Sequence, residues 1–227
     1  MRDCAMLTPD RRIPHLKDVK RTGVRRVISR RNKRTTGWFR SRKAGAMIPW
    51  ESRLELDFLR TCEIDRTVQY VAAQPLRLEV ELDDRVCVHF PDFLVTRRDG
   101  LTLSEVKLAK RAQQPAYQAL FAAAALAASE RTCDYAVFTE NEVRSGARLA
   151  NAVELLSFAA LCIDPDLREG ILASIAAGRA CLSDLAETKD RRRRALYAMC
   201  LAGEVFFDID APLHGDTLFH ADATGGV

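Results

Sequence analysis

Apolar and polar positions change their spacing twice along the chain, and each change marks an element. Leu54, Phe58, Leu59 and Cys62 recur on one face of a helical period, which predicts a helix over 49–64. At roughly 100° per residue Glu51 and Glu55 fall inside that apolar arc, with Arg53, Asp57 and Arg60 opposite. After Gln74-Pro75 the period drops to two. Leu76, Leu78, Val80 and Leu82 share one side, Asp83-Asp84 turns, and Val86, Val88 and Phe90 return as the second arm of a hairpin. That arm is expected to continue through Pro91-Asp92-Phe93-Leu94-Val95 and to turn at 97–100. A third strand then sets Leu101, Leu103, Glu105 and Lys107 on one side. An Ala-rich helix follows over 112–129 and a short strand over 135–139, and a helical crossover of that length predicts a parallel addition to the sheet.

The later chain reads as helical over 153–162, 167–177 and 195–201. Its last segments, 203–210 and 213–220, read as a terminal two-stranded wing. The expected class is therefore α/β: a mixed central sheet flanked by helices over 49–145, then a small winged-helix-like α+β domain over 146–227.

Three placements carry chemistry. Carboxylates on the apolar face of a helix are costly unless paired, hydrogen-bonded or bound to a cation, which singles out Glu55, deeper in the helix, ahead of Glu51. A helix N-terminus that simply favours negative charge explains either residue more blandly. A strand that buries Leu101 and Leu103 should not run on to Glu105 and Lys107 without some use for them, and an antiparallel neighbour brings Asp92 near Glu105. Hard carboxylate oxygens suit Mg²⁺, and a Lys beside them can orient a nucleophile and offset developing charge. Asp92 and Glu105 are the expected metal ligands and Lys107 the expected residue at the nucleophile. The bland alternative is an edge-strand ion pair between Glu105 and Lys107.

Charge adds a second theme. The first 50 residues hold 15 Lys+Arg against 3 Asp+Glu, leaving 20 against 28 of the chain's 35 and 31 for the remainder. A basic arm over 1–48, expected to be flexible, precedes an acidic body. Arg25, Arg26, Arg30, Arg31, Lys33 and Arg34 are the expected DNA contacts, with Trp38 and Phe39 interleaved for stacking. The run 191–194 could touch phosphate or present an ordinary solvated helix face.

Seven cysteines without a CxxC pair read as reduced, mostly buried thiols. The histidines at 15, 89, 214 and 220 lack metal-ligand spacing and receive no role. No apolar run is long enough for a signal peptide or a membrane span, so a cytoplasmic chain with no membrane partner is expected.

Several separated blocks resemble one family. They are Glu51-Ser-x-Leu-Glu55-Leu-Asp-Phe-Leu, Gln74-Pro75, Pro91-Asp92-Phe-Leu-Val, Asp99-Gly100, Glu105-Val-Lys107 and Val137-Phe-Thr139-Glu140. In this order they resemble the TnsA family of transposon endonucleases. The resemblance spans about residues 50 to 145 and implies a restriction-endonuclease-like (PD-(D/E)xK) core. It also implies nicking of the 5′ strand at transposon ends beside a TnsB-type DDE transposase and a TnsC-type AAA+ ATPase. Glu55, Asp92, Glu105 and Lys107 would be the site, with the Val106 backbone carbonyl as a further metal ligand and Mn²⁺ able to replace Mg²⁺. Two other functions compete: a stand-alone repair or phage-type endonuclease on branched or damaged DNA, and a non-catalytic binding module on a nuclease fold.

Overall fold

A computed structural model describes residues 35–82, 85–159, 162–186 and 191–221. Arg25, Arg26, Arg30, Arg31, Lys33 and Arg34 lie outside the described residues. The chain divides into two compact units at the junction of Arg144 and Ser145.

Among the described residues the first elements are a hairpin, β1 (Gly37–Ser41) and β2 (Ala46–Trp50), where the end of a flexible arm was expected. Alternation explains its order. Phe39 packs against the core while Trp38 and Arg40 stand outside, so Phe39 is a core residue and not a stacking one. Gly37 pairs with Trp50, whose indole passes 2.4 Å from where a Cβ on residue 37 would stand. The hairpin turn is tied down by a buried carboxylate of the next helix: Glu63 accepts from the Ser41 hydroxyl at 2.8 Å and from the backbone N–H groups of Arg42 and Lys43.

Because Pro49 and Trp50 finish β2, helix α1 (Arg53–Ile64) starts later than the spacing predicted, with Ser52 as its N-cap. Its apolar stripe buries Leu54, Phe58, Leu59 and Cys62. Asp57, expected on the polar side, is buried as well. Arg60 and Arg144 pair with its two oxygens at 3.1 and 2.8 Å, which lowers the cost of hiding the charge.

Strands β3 (Val68–Ala73), β6 (Phe93–Arg97), β7 (Leu101–Val106) and β8 (Asp134–Phe138) form the central sheet in the order β3-β6-β7-β8. β6 is antiparallel to both β3 and β7, and β8 is parallel to β7, the mixed pattern expected from the helical crossover. Between β3 and β6, strands β4 (Leu78–Leu82) and β5 (Arg85–His89) make a separate hairpin. The second arm therefore does not run on into Phe93 as one strand. The chain breaks at Phe90-Pro91-Asp92, since proline cannot donate to a ladder.

Period-two alternation divides the sheet between two cores. Phe93, Val95 and Val106 face α1, whereas Leu94, Leu101 and Leu103 face α3 (Pro115–Ser129), where Ala124, Ala127 and Ala128 allow close approach. Burying these side chains from both sheet faces supplies the main driving force for the unit. Short helices α2 (Ala109–Ala112) and α4 (Glu140–Val143) flank β8.

The second unit is helical: α5 (Arg148–Leu156), α6 (Pro165–Ala176), α7 (Leu182–Leu185) and α8 (Arg191–Ala202) enclose Ile171, Leu182, Leu185, Leu196, Met199 and Phe219. The expected two-stranded wing is not formed. Among the described residues the strand pairing of that region amounts to the isolated bridges Phe206 to His220 and Cys181 to Leu218. The Arg191–Ala202 helix turns its basic residues onto its own unit. Arg191 pairs with Asp164 at 2.6 Å, Arg192 donates to the Gly170 carbonyl and the Ser174 hydroxyl, and Arg194 stands over the Phe158 ring. Six described cysteines are free thiols, with Cys62 and Cys133 buried and Cys162 exposed. Among the described residues no helix is long and apolar enough to cross a membrane.

Candidate active site

The site lies where β6 begins and β7 ends. Phe93 pairs with Ser104, so the register carried one residue further sets Asp92 opposite Glu105. Asp92 is fixed at both backbone and side chain. Its carbonyl accepts from the Gln74 N–H at 2.7 Å, and its Oδ2 accepts from the Val106 N–H at 2.8 Å. Gln74 holds the left-handed conformation, φ +42°, directly before Pro75. A residue before proline ordinarily takes an extended one, so this backbone strain is maintained by the surrounding contacts.

Glu105 is 3% exposed on an interior strand, so the ion pair that it forms with Lys107 is buried and not at a sheet edge. Lys107 reaches its Oε1 at 2.7 Å and stands 5.5 Å from the Tyr117 ring centre. The other oxygen, Oε2, is buried and accepts no hydrogen bond. Burial, then the charge of Asp92, push the Glu105 carboxyl up to about 7 against the opposing pull of Lys107. For Lys107 burial alone would lower the pKa, but the charge and hydrogen bond of Glu105 leave it above the ordinary lysine value.

The N–H and the C=O of one strand residue leave on the same edge. The Val106 carbonyl therefore leaves on the Asp92 side, while the next residue, Lys107, donates its N–H to Phe138 in the direction of β8.

Glu55 is buried nearby but turned toward the start of its own helix. Its Oε1 accepts from the Ser52 hydroxyl at 2.9 Å and its Oε2 from the Glu51 N–H at 2.7 Å, while the Ser52 hydroxyl accepts from the Glu55 N–H. This reciprocal cap fixes the carboxylate at the start of the helix, where the helix dipole favours negative charge. Burial and then Asp92 raise the Glu55 carboxyl to about 7, so Asp92 acts electrostatically on both glutamates. Glu51 precedes the helix and contributes its backbone N–H to that cap.

A histidine given no role from the sequence belongs to the same place. His89 is buried, with Nε2 3.0 Å from the Tyr135 hydroxyl and 3.6 Å from Glu105 Oε2. Burial, followed by the charge of Lys107, lowers its pKa to about 4, so the imidazole is neutral. The only sequence signal was its position three residues before Asp92.

Among the described residues no three His, Cys, Asp or Glu side chains gather into a complete protein-made metal cage. Mg²⁺ seldom asks for one, since it keeps several waters and uses one or two carboxylates with substrate phosphate. Two carboxylates opposed across a ladder, with one buried oxygen unsatisfied, fit that donor set.

Residues 65–140 match the family model described as TnsA-like endonuclease N terminal, about a third of the chain. The matched segment, which is similar to that family's N-terminal domain, runs from β3 through β8. It includes Asp92, Glu105 and Lys107 and excludes Glu55. No curated protein matches the chain.

Proposed function

We propose that this TnsA-like chain is a Mg²⁺-dependent endodeoxyribonuclease, with Mn²⁺ as a substitute metal, that nicks the 5′ strand at transposon ends. It would act in the cytoplasm beside a TnsB-type DDE transposase and a TnsC-type AAA+ ATPase. The observation that carries the nuclease reading is the buried Glu105 carboxylate opposite Asp92, with Lys107 on one oxygen and the other unsatisfied. The transposon context rests on the family match.

Asp92 and Glu105 would hold the cation, with the Val106 carbonyl on the same strand edge and Glu55 joining when it releases its helix cap. Bound Mg²⁺ would polarise the scissile phosphate and lower the pKa of an attacking water. Lys107 would orient that water and offset charge developing on the phosphate oxygens. The water oxygen joins phosphorus as the bond to the 3′ oxygen breaks and that oxygen takes up a proton, leaving a 3′-hydroxyl and a 5′-phosphate. On the β1–β2 hairpin Trp38 and Arg40 are exposed; with Arg25, Arg26, Arg30, Arg31, Lys33 and Arg34, which precede them in the sequence, they would contact DNA phosphates and bases.

Incubating the chain, its transposase and its ATPase with end-containing duplex tests the reading. Wild type should nick one strand when Mg²⁺ is present, and Asp92→Ala should not, with circular dichroism and DNA binding unchanged. Cutting by Asp92→Ala at the wild-type rate would sink it. Cleavage of branched DNA by the chain alone would favour a stand-alone nuclease, and DNA binding without cutting in every condition would favour a binding module.

A further inference from the structure

Glu105 is gripped from one side only in an obvious way, since Lys107 donates to Oε1 and Oε2 lacks a hydrogen bond. The group facing Oε2 is His89. Because the chain breaks at Phe90-Pro91-Asp92, the last residue of β5 turns inward and is 8% exposed. Tyr135 reaches the same spot from β8. It pairs with Leu103, two residues before Glu105 and therefore on the same sheet face. The imidazole Nε2 stands 3.0 Å from the Tyr135 hydroxyl and 3.6 Å from Glu105 Oε2, with the two rings edge-on at 6.0 Å.

In the tautomer with its proton on Nε2 the imidazole has one N–H to give; the Tyr135 hydroxyl stands within hydrogen-bond distance of it, and Glu105 Oε2 at 3.6 Å lies just beyond. A carboxylate oxygen has two lone pairs, so a contact from His89 leaves one for a cation. Carboxylate ligands are commonly oriented by such outer hydrogen bonds, and removing one typically weakens metal binding by about 10- to 100-fold.

We propose that His89, braced by Tyr135, is a positioning residue that faces Glu105 Oε2 while Lys107 holds Oε1, presenting the carboxylate to the divalent cation. This rests on the metal reading of the site. Filling space in the core is the competing use of a buried His–Tyr pair, and it predicts a loss of stability without a selective loss of metal.

Calorimetric titration of the full chain with Mn²⁺ at fixed pH separates the two, with the melting temperature of the metal-free protein measured alongside. His89→Leu should bind Mn²⁺ about 10-fold or more weaker with little change in melting temperature. His89→Gln, whose amide N–H can stand near the Nε2 position, should recover most of the affinity, and Tyr135→Phe should lose less than His89→Leu. Wild-type affinity in His89→Leu would overturn the positioning role alone. So would failure of His89→Gln to recover what His89→Leu loses, because an N–H donor at the Nε2 position would then not be what positions Glu105. A wild-type chain that takes up no Mn²⁺ would overturn the metal reading and this role with it.

Discussion

Two glutamates are buried to a similar degree in the first unit, at 7% and 3% exposure, yet their surroundings differ in kind. Glu63 accepts from the Ser41 hydroxyl and from two backbone N–H groups of the β1–β2 turn, so both its oxygens are engaged in holding that turn to α1. Glu105 has one oxygen on Lys107 and one without a hydrogen bond, and lies opposite a second carboxylate. The contrast shows that burial of a charge does not by itself mark a site. An unsatisfied acceptor beside a like charge is the stronger signal, since a fold gains nothing structural from that arrangement.

Exchanging the roles of the two residues tests the contrast most severely. Glu105→Gln should lower the rate of metal-dependent strand cleavage by on the order of 10²- to 10³-fold, the scale found when one preorganised electrostatic group is removed. Scanning calorimetry should find its metal-free fold as stable as wild type or more so at pH 8. Unchanged cleavage would place Glu105 with Glu63 as a structural carboxylate.

The reverse substitution, Glu63→Ala, should destabilise the first unit by roughly 2–4 kcal/mol, because a buried hydroxyl and two backbone donors lose their acceptor. Denaturant unfolding would measure this, and the folded fraction should still cleave at the wild-type rate. A smaller effect is expected from pH. Glu105 and Glu55 are raised in the folded state to about 7 from 4.5. Their contribution to stability is then full below about 4.5 and is lost as pH rises through about 7. His89, lowered to about 4, works in the opposite direction below 6.5, so the clean comparison is wild type against Glu105→Gln. Melting temperatures without metal should show wild type falling behind the variant between pH 5 and pH 8. Divalent metal should close the gap, binding more tightly as the carboxyls lose their protons. The least effect belongs to Arg191→Ala. Its ion pair with Asp164 is largely exposed, so urea titration should register a loss of under about 1 kcal/mol.

Much of the first unit was legible as a pattern. The hairpin at 76–90, the mixed sheet with a parallel last strand and the shared side of Glu105 and Lys107 all follow from alternation and connection length, which are local properties. What was misread depended on distant partners. Phe39 and Asp57 look polar-side or exposed by spacing, but one meets the core and the other meets Arg144, 87 residues away. In the second unit the segments 203–210 and 213–220 carry strand-like composition. Whether such segments pair is decided by their neighbours, and among the described residues their strand pairing is the single isolated bridge Phe206 to His220.

Asp92, Glu105 and Lys107 were determined by the sequence alone as a candidate set, because a two-residue period that buries leucines and then continues onto Glu and Lys is already an anomaly in one dimension. The tertiary structure decided which of their oxygens are occupied. It turned Glu55 to its own helix cap, left Glu105 Oε2 without a hydrogen bond, and brought His89 and Tyr135 from other strands to face it. Periodicity assigns a side chain to a face, but satisfying a buried acceptor depends on which donors converge in space, and that is written only in the packing of the whole unit.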